Sequence, residues 1–413
     1  MTICTIIDIF HTEFQEGGIK MIQRNISHEA RILFTEYPIV SILGPRQSGK
    51  TTLSKMLFPD FDYISFEDID NKEFALTDPR GFLTKYSHCV IFDEIQRVPD
   101  LISYLQTHVD HINKNSQIII TGSHNFLLME QISQSLAGRV GIVKLLPFSW
   151  NEISKIQNLT IEEMLFFGGY PRIYDKKIRP SSFYKNYIST YIEKDVRLLK
   201  NIEKLDTFIK FIKVLAGRTG QILNTTSISE DCGISHNTVK EWISVLETSF
   251  IIFKLLPYHK NYNKRLIKNP KIYFTDTGLV CNLLGIKSPR ELDLHYLKGN
   301  IFETFIINDF LKENYNLGEI YQIYFWRDNH RKEIDLILEY GSSVYGIEIK
   351  SGKTIQSKFF DGLKYWSKLT DNKDENNFLI YGGTDHYKRN NFNVYGWKHI
   401  SRIIDQTTGG KSI

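Results

Sequence analysis

Val40-Ser41-Ile42-Leu43-Gly44-Pro45-Arg46-Gln47-Ser48-Gly49-Lys50-Thr51-Thr52-Leu53 is the stretch that decides the fold. Its first four residues read as a buried strand, residues 44–49 as a loop, and Leu53, Met56 and Leu57 as the apolar face of a helix. Gly44 and Gly49 permit the backbone turn that aims successive N–H groups at phosphate oxygens, and the helix adds the positive end of its dipole. Gly44, Pro45, Arg46, Gln47, Ser48, Gly49, Lys50, Thr51 and Thr52 are therefore expected to cradle ATP. Lys50 would lie against the β- and γ-phosphates and Thr51 would ligate Mg2+.

Working outward, Cys89-Val90-Ile91-Phe92-Asp93-Glu94 is an apolar run ending in two carboxylates. Such a run makes a central parallel strand that delivers acids to its C-terminal end, where open α/β sheets bind ligands. Asp93 would hold the magnesium through water, and Glu94 would orient and polarise the attacking water; a solvated acid at a strand end is the plainer alternative for Glu94. Residues 117–125 read as another strand, again ending in small polar residues. Arg139, just before the strand-like 140–145, either completes a neighbouring subunit's site or pairs with a local acid. With a strand at 62–66, five parallel strands are expected.

The order of the glycine loop, Asp93-Glu94, Thr121-Gly122-Ser123, Ala137-Gly138-Arg139 and Gly168-Gly169-Tyr170-Pro171 resembles a large group of bacterial and archaeal AAA-type P-loop ATPases. These carry a C-terminal domain of poorly defined function. Tyr187 to Arg197 (YISTYIEKDVR) and the Tyr273-Phe274-Thr275-Asp276-Thr277-Gly278-Leu279 run extend the resemblance along the chain from about Met21. It implies ATP binding, and a polar sensor at the end of the third strand: Thr121, Ser123 or Asn125, with Ser123 preferred, against a role for Ser123 in capping the next helix.

Residues 227–247 carry two helical patterns joined at Gly233, with Ser235 as N-cap of the second, a helix-turn-helix arrangement. His236, Asn237, Thr238, Lys240 and Glu241 would face bases or phosphates, and the run Lys254, His259, Lys260, Lys264, Arg265, Lys268 and Lys271 suggests a wing against a phosphate backbone. The alternative is a spacer between domains whose charges form a solvated face.

Beyond Gly299 an amphipathic helix carries Glu303, and two strand patterns joined at Gly341-Ser342-Ser343 carry Asp335, Glu348 and Lys350. The period-2 alternation puts Glu348 and Lys350 on one face beside Asp335. This D…ExK set resembles the PD-(D/E)xK nuclease superfamily, with Ile334 where that motif often has proline. The resemblance implies Asp335 and Glu348 as metal ligands, Lys350 as stabiliser of the pentavalent charge and Glu303 completing the site. A scaffold whose charges pair with one another is the alternative.

The 413 residues accommodate several domains, and no run of eighteen apolar residues suggests a membrane span. A net charge of +4 leaves nucleic-acid binding to local patches. Cys4, Cys89, Cys232 and Cys281 are too scattered for zinc or a disulfide framework, which fits a reduced cytoplasmic setting. Residues 15–21 look like a read-through ribosome-binding site and start codon, so translation is expected to begin at Met21. The expected architecture is an α/β parallel sheet with helices on both faces (21–150), a helical lid and connector (151–205), a winged-helix-like segment (206–285) and a small α/β nuclease-like domain (286–413). The function expected is that of an ATPase acting as a nucleotide-driven switch, with DNA and a homo-oligomer as candidate partners. An ATP-gated Mg-dependent endonuclease and a signalling ATPase with a protein-docking C-terminal half are the alternatives.

Overall fold

The computed structural model describes residues 22–123, 132, 134–192, 205–259, 268–389 and 391–410, and a short backbone ladder of Gln15–Glu16 against Ile19–Lys20. Most of the expected leader, Asn125, the wing residues Lys260, Lys264 and Arg265, and the end of the 187–197 landmark lie outside them.

The first sheet has five parallel strands: β1 (Ile39–Gly44), β2 (Asp62–Ser65), β3 (Val90–Asp93), β4 (Ile118–Ser123) and β5 (Val140–Lys144), in the spatial order β2-β3-β4-β1-β5. Alternation explains why they pack. Ile39, Leu43, Phe92, Ile118 and Ile120 enter one core, while Val40, Ile42, Ile91 and Ile119 enter a second on the opposite face. Insertion of β4 between β1 and β3 sets Thr121 beside Ile42 in the strand that also flanks Asp93. The P-loop ATPase fold expected from the glycine loop is the fold observed.

A connector of short helices follows, Trp150–Ser154, Ile161–Phe167, Pro171–Asp175 and Pro180–Tyr187, the first two closed by Ser149/Glu152 and Thr160/Glu163 capping boxes. Next come helices Leu205–Ala216, Thr225–Cys232 and His236–Thr248, with a small antiparallel sheet of β6 (Gln221–Ile222), β7 (Ile252–Leu255) and β8 (Lys271–Phe274) in the order β6-β8-β7. Gly233 turns the chain in the left-handed region at φ 68°, and Ser235 accepts from the Thr238 amide at 3.1 Å.

The C-terminal part sets helix Lys298–Asn316 and helix Asp361–Thr370 around a mixed sheet. Its strands are β9 (Gln322–Arg327), β10 (Glu333–Tyr340), β11 (Ser343–Lys350), β12 (Phe378–Tyr381), β13 (His386–Arg389) and β14 (Phe392–Gly396), ordered β9-β10-β11-β12-β14-β13. β9, β10 and β11 run antiparallel, and β12 joins β11 in parallel. One apolar core runs from Phe148 through the connector and the three-helix segment to Ile404, so these segments share a core, and the C-terminal part buries a second one around Trp326, Trp366 and Leu379. Among the described residues no helix is long and apolar enough to cross a membrane.

Candidate functional site

The glycine loop uses its two glycines for different reasons. Gly49 lies at φ 97°, in the left-handed region, where a side chain would be strained. At Gly44 the constraint is contact: a Cβ there would sit 2.1 Å from the Leu145 carbonyl oxygen. Gln47 adopts φ 62° without being glycine, a local strain of the kind that clusters at ligand clamps. Lys50 is buried, and its Nζ donates to the carbonyl oxygens of Gly44 and Pro45, each at 3.0 Å. Its ammonium thus lies across the mouth of the loop.

Asp93, also buried, is the hub of the site. Thr51 Oγ1 donates to both its carboxylate oxygens at 3.1 and 3.2 Å, Tyr63 donates at 2.6 Å, and the Thr121 hydroxyl donates from β4. Burial, and then the bond to Asp93, push the Tyr63 hydroxyl far above the ordinary tyrosine range, so it stays a donor. A hydroxyl and a carboxylate converging beside a phosphate loop is a donor set suited to Mg2+, which prefers few protein oxygens together with phosphate and water. Ser123, the preferred sensor, is described only through its backbone pairing with Gly44; of the three sensor candidates, Thr121 is the one whose side chain is seen at Asp93. Glu94 follows with φ 58° and ψ 46°, and its carboxylate accepts from the Gln96 amide.

Arg24 and Tyr63 escaped the sequence reading. Buried Arg24 donates through Nε to Glu152 at 2.8 Å, through Nη1 to the Ser48 carbonyl at 2.8 Å and through Nη2 to the Leu146 carbonyl at 2.7 Å. The guanidinium lies 4.7 Å from the Phe148 ring centroid. One side chain therefore ties the phosphate loop to the start of the connector. From there, the Trp150 amide donates to Asp309 at 3.1 Å and Lys312 donates to the Phe148 carbonyl at 2.9 Å, so the link continues to helix Lys298–Asn316. Pro171 also faces the loop, since a Cβ at Gly49 would lie 3.9 Å from its ring. Its neighbour Gly169 donates an amide to buried Asp276 at 2.7 Å, which joins the two distant family landmarks directly.

Arg139 lies at the N-terminal entrance of β5, at the end of the sheet opposite the glycine loop. It forms a two-pronged pair with Asp110 at 2.6 and 2.8 Å and does not reach its own chain's loop.

The four C-terminal residues singled out by spacing do come together, but with a fifth partner. Lys350 Nζ lies 3.2 Å from Asp335 and 2.5 Å from Glu348. Lys271, from β8, lies 2.8 Å from Glu303 and 2.5 Å from Glu333, and Tyr273 donates to Glu303 at 2.6 Å. This corrects the placing of Lys271 in a basic wing against a phosphate backbone: it is 2% exposed, because β8 is the central strand of its sheet and feeds into the core. Lys254 of the same run is paired with Glu247 at 2.6 Å. Burial pushes Asp335 upward, but the Lys350 and Lys271 ammoniums outweigh it and hold the carboxyl below its ordinary value. Burial and the Asp335 charge push Glu348 up. A divalent metal does not fit this arrangement: each ammonium already bridges two carboxylates, and among the described residues no group of three His, Cys, Asp or Glu is placed to hold an ion. On helix His236–Thr248, by contrast, His236, Asn237, Lys240 and Glu241 are exposed.

Residues 36–154 match the family described as AAA domain, and residues 158–290 and 298–400 match two domains of unknown function, DUF8612 and DUF4143. An uncharacterized protein of Mycobacterium tuberculosis is 30% identical over 336 residues, covering 80% of this chain and 74% of the relative. One from Haemophilus influenzae is 21% identical over 368 residues, 80% and 86% of the two chains. A Walker-type ATPase of Pyrococcus abyssi superposes with a TM-score of 0.45 at 15% identity, over 67% of this chain and 99% of that one. The chain belongs to the AAA-type P-loop ATPase family that the AAA-domain match and the mycobacterial relative define.

Proposed function

We propose that the protein hydrolyses ATP to ADP and phosphate and uses the nucleotide as a switch acting on its C-terminal half. The carrying observation is Arg24, whose three donors hold the phosphate loop at Ser48 and the connector at Leu146 and Glu152. Lys50 exchanges its bonds to Gly44 and Pro45 for phosphate oxygens, a swap between acceptors that needs no backbone change. Thr51 and Asp93 would hold Mg2+, which neutralises charge developing on the phosphates. Glu94 orients the attacking water, Thr121 keeps Asp93 in place from the neighbouring strand, and Ser123, at the end of that strand, is the proposed contact to the γ-phosphate. Arg139 serves only across a subunit boundary, where it must leave Asp110. The exposed face of His236–Thr248 makes duplex DNA the favoured partner of the switched half, with the three helices and three strands of 205–274 supporting a winged-helix reading.

Hydrogen exchange on the Glu94→Gln variant tests the switch. Magnesium-ATP should slow exchange in the loop and also in the connector and helix Lys298–Asn316. Protection confined to the loop would leave an ATPase without the coupling.

A further inference from the structure

Tyr63 stands on β2, an edge strand of the parallel sheet, yet it makes one of the bonds that set Asp93. The register explains how. Tyr63 pairs with Ile91 and Ser65 with Asp93, so alternation puts Tyr63 on the face of the sheet that Asp93 shares, one same-face position earlier. From there its hydroxyl donates to Asp93 Oδ2 at 2.6 Å. Lys55 sets its Nζ 3.5 Å from the centroid of the Tyr63 ring, a cation–π contact. Because Lys55 follows Thr51 by four residues on helix Lys50–Leu57, both side chains lie on one face of that helix. Tyr63 is thus held between the helix that carries Thr51 and the strand that carries Asp93.

The bonds to Asp93 divide between its two oxygens. Thr121 donates to Oδ1, Tyr63 donates to Oδ2, and the Thr51 hydroxyl is shared between them at 3.2 and 3.1 Å. Without Tyr63, Oδ2 would keep only its share of Thr51, and the carboxylate, whose terminal torsion is intrinsically broad, would be free to turn. A carboxylate offers about four lone-pair sites, so three donors leave one open, and an incoming donor finds a place without expelling the tyrosine.

We propose that Tyr63 is a positioning residue of the magnesium site: its hydroxyl fixes the Asp93 carboxylate in the orientation that, together with Thr51, receives the ion. The proposal rests on the reading of Thr51 and Asp93 as the Mg2+ residues. Since Tyr63 acts through Asp93, its effect falls on the share of nucleotide affinity that magnesium supplies, and leaves the share supplied by Lys50 and the loop amides.

The test is the calorimetric affinity of the full chain for a non-hydrolysable ATP analogue, measured in excess EDTA and again in saturating Mg2+. Wild type should bind more tightly with the ion. Tyr63→Phe removes one oxygen from a half-buried side chain and keeps the ring under Lys55. It should match wild type in EDTA and bind about 10-fold more weakly in Mg2+, the effect of losing one hydrogen bond to a charged group. With Mn2+ in place of Mg2+, the paramagnetic signal of the free ion over the analogue complex should report the same weakening. Equal weakening of Tyr63→Phe in both conditions would mark a merely structural role and overturn the proposal. So would a magnesium gain in Tyr63→Phe as large as that of wild type, which would remove Tyr63 alone, or a larger one, which would make the hydroxyl a competitor of the ion. No gain in wild type would overturn the proposal together with the magnesium reading of Thr51 and Asp93.

Discussion

Replacing Arg24 by alanine removes a guanidinium that satisfies three buried acceptors at 2.7 to 2.8 Å. Glu152 is 2% exposed and would be left with only the Ser149 and Asn25 amides as partners. Breaking a buried pair from one side costs about 3–5 kcal/mol, so a loss of that size is expected in urea unfolding. The effect on nucleotide is separable. One hydrogen bond from a charged donor, here to the Ser48 carbonyl, contributes about 1.5–3 kcal/mol. If it holds the loop in its binding form, affinity for a non-hydrolysable ATP analogue falls about 10- to 100-fold by calorimetry. The double variant Arg24→Met, Glu152→Gln removes the stranded charge while keeping an acceptor for the two amides; it should recover much of the stability but not the affinity. An Arg24→Ala protein within about 1 kcal/mol of wild type that binds the analogue as tightly would refute the reasoning.

Other consequences concern pH and DNA. Burial, with the Asp309 and Glu152 charges, pushes Glu313 up from 4.5 to about 7, and burial pushes neighbouring Asp309 up to about 6 against the pull of Lys312. A raised carboxyl stabilises the fold while protonated, fully below its unfolded value, and loses that contribution as pH rises through the folded value. Stability should therefore fall between about pH 4.5 and 7, by on the order of 3 kcal/mol for Glu313, and Glu313→Gln should flatten this part of the profile. For DNA, Lys240→Glu should weaken duplex binding across unrelated sequences and lower the salt slope by about one in a mobility-shift titration at two salt concentrations. Absence of any low-salt shift by wild type would count for a protein-docking role.

What could be read from the sequence was what depends on neighbours in the chain. Strand, loop and helix around Lys50 are contiguous, and the apolar run into Asp93 announces its own burial. The sheet and the phosphate loop were legible for that reason. Lys271 was misread because a run of basic residues looks solvated until β8 is known to be a central strand facing a helix that begins at Lys298. Arg24 gave no local signal, since its partners lie 24 to 128 residues away. Thr121 and Ser123 differ by two positions on one strand, and only the insertion of β4 between β1 and β3 sets Thr121 against Asp93. The gathering of Glu303, Asp335, Glu348 and Lys350 followed from alternation and a hairpin, but the pairing of Glu303 with Lys271 did not.

Steady-state release of phosphate from magnesium-ATP, compared between wild type and Glu94→Gln with analogue binding measured on the same samples, bears most directly on the nucleotide site. Removing the water-orienting carboxylate should lower turnover about 100-fold or more while leaving analogue affinity near wild type. Equal turnover in the two proteins would contradict the placement of hydrolysis at Asp93 and Glu94.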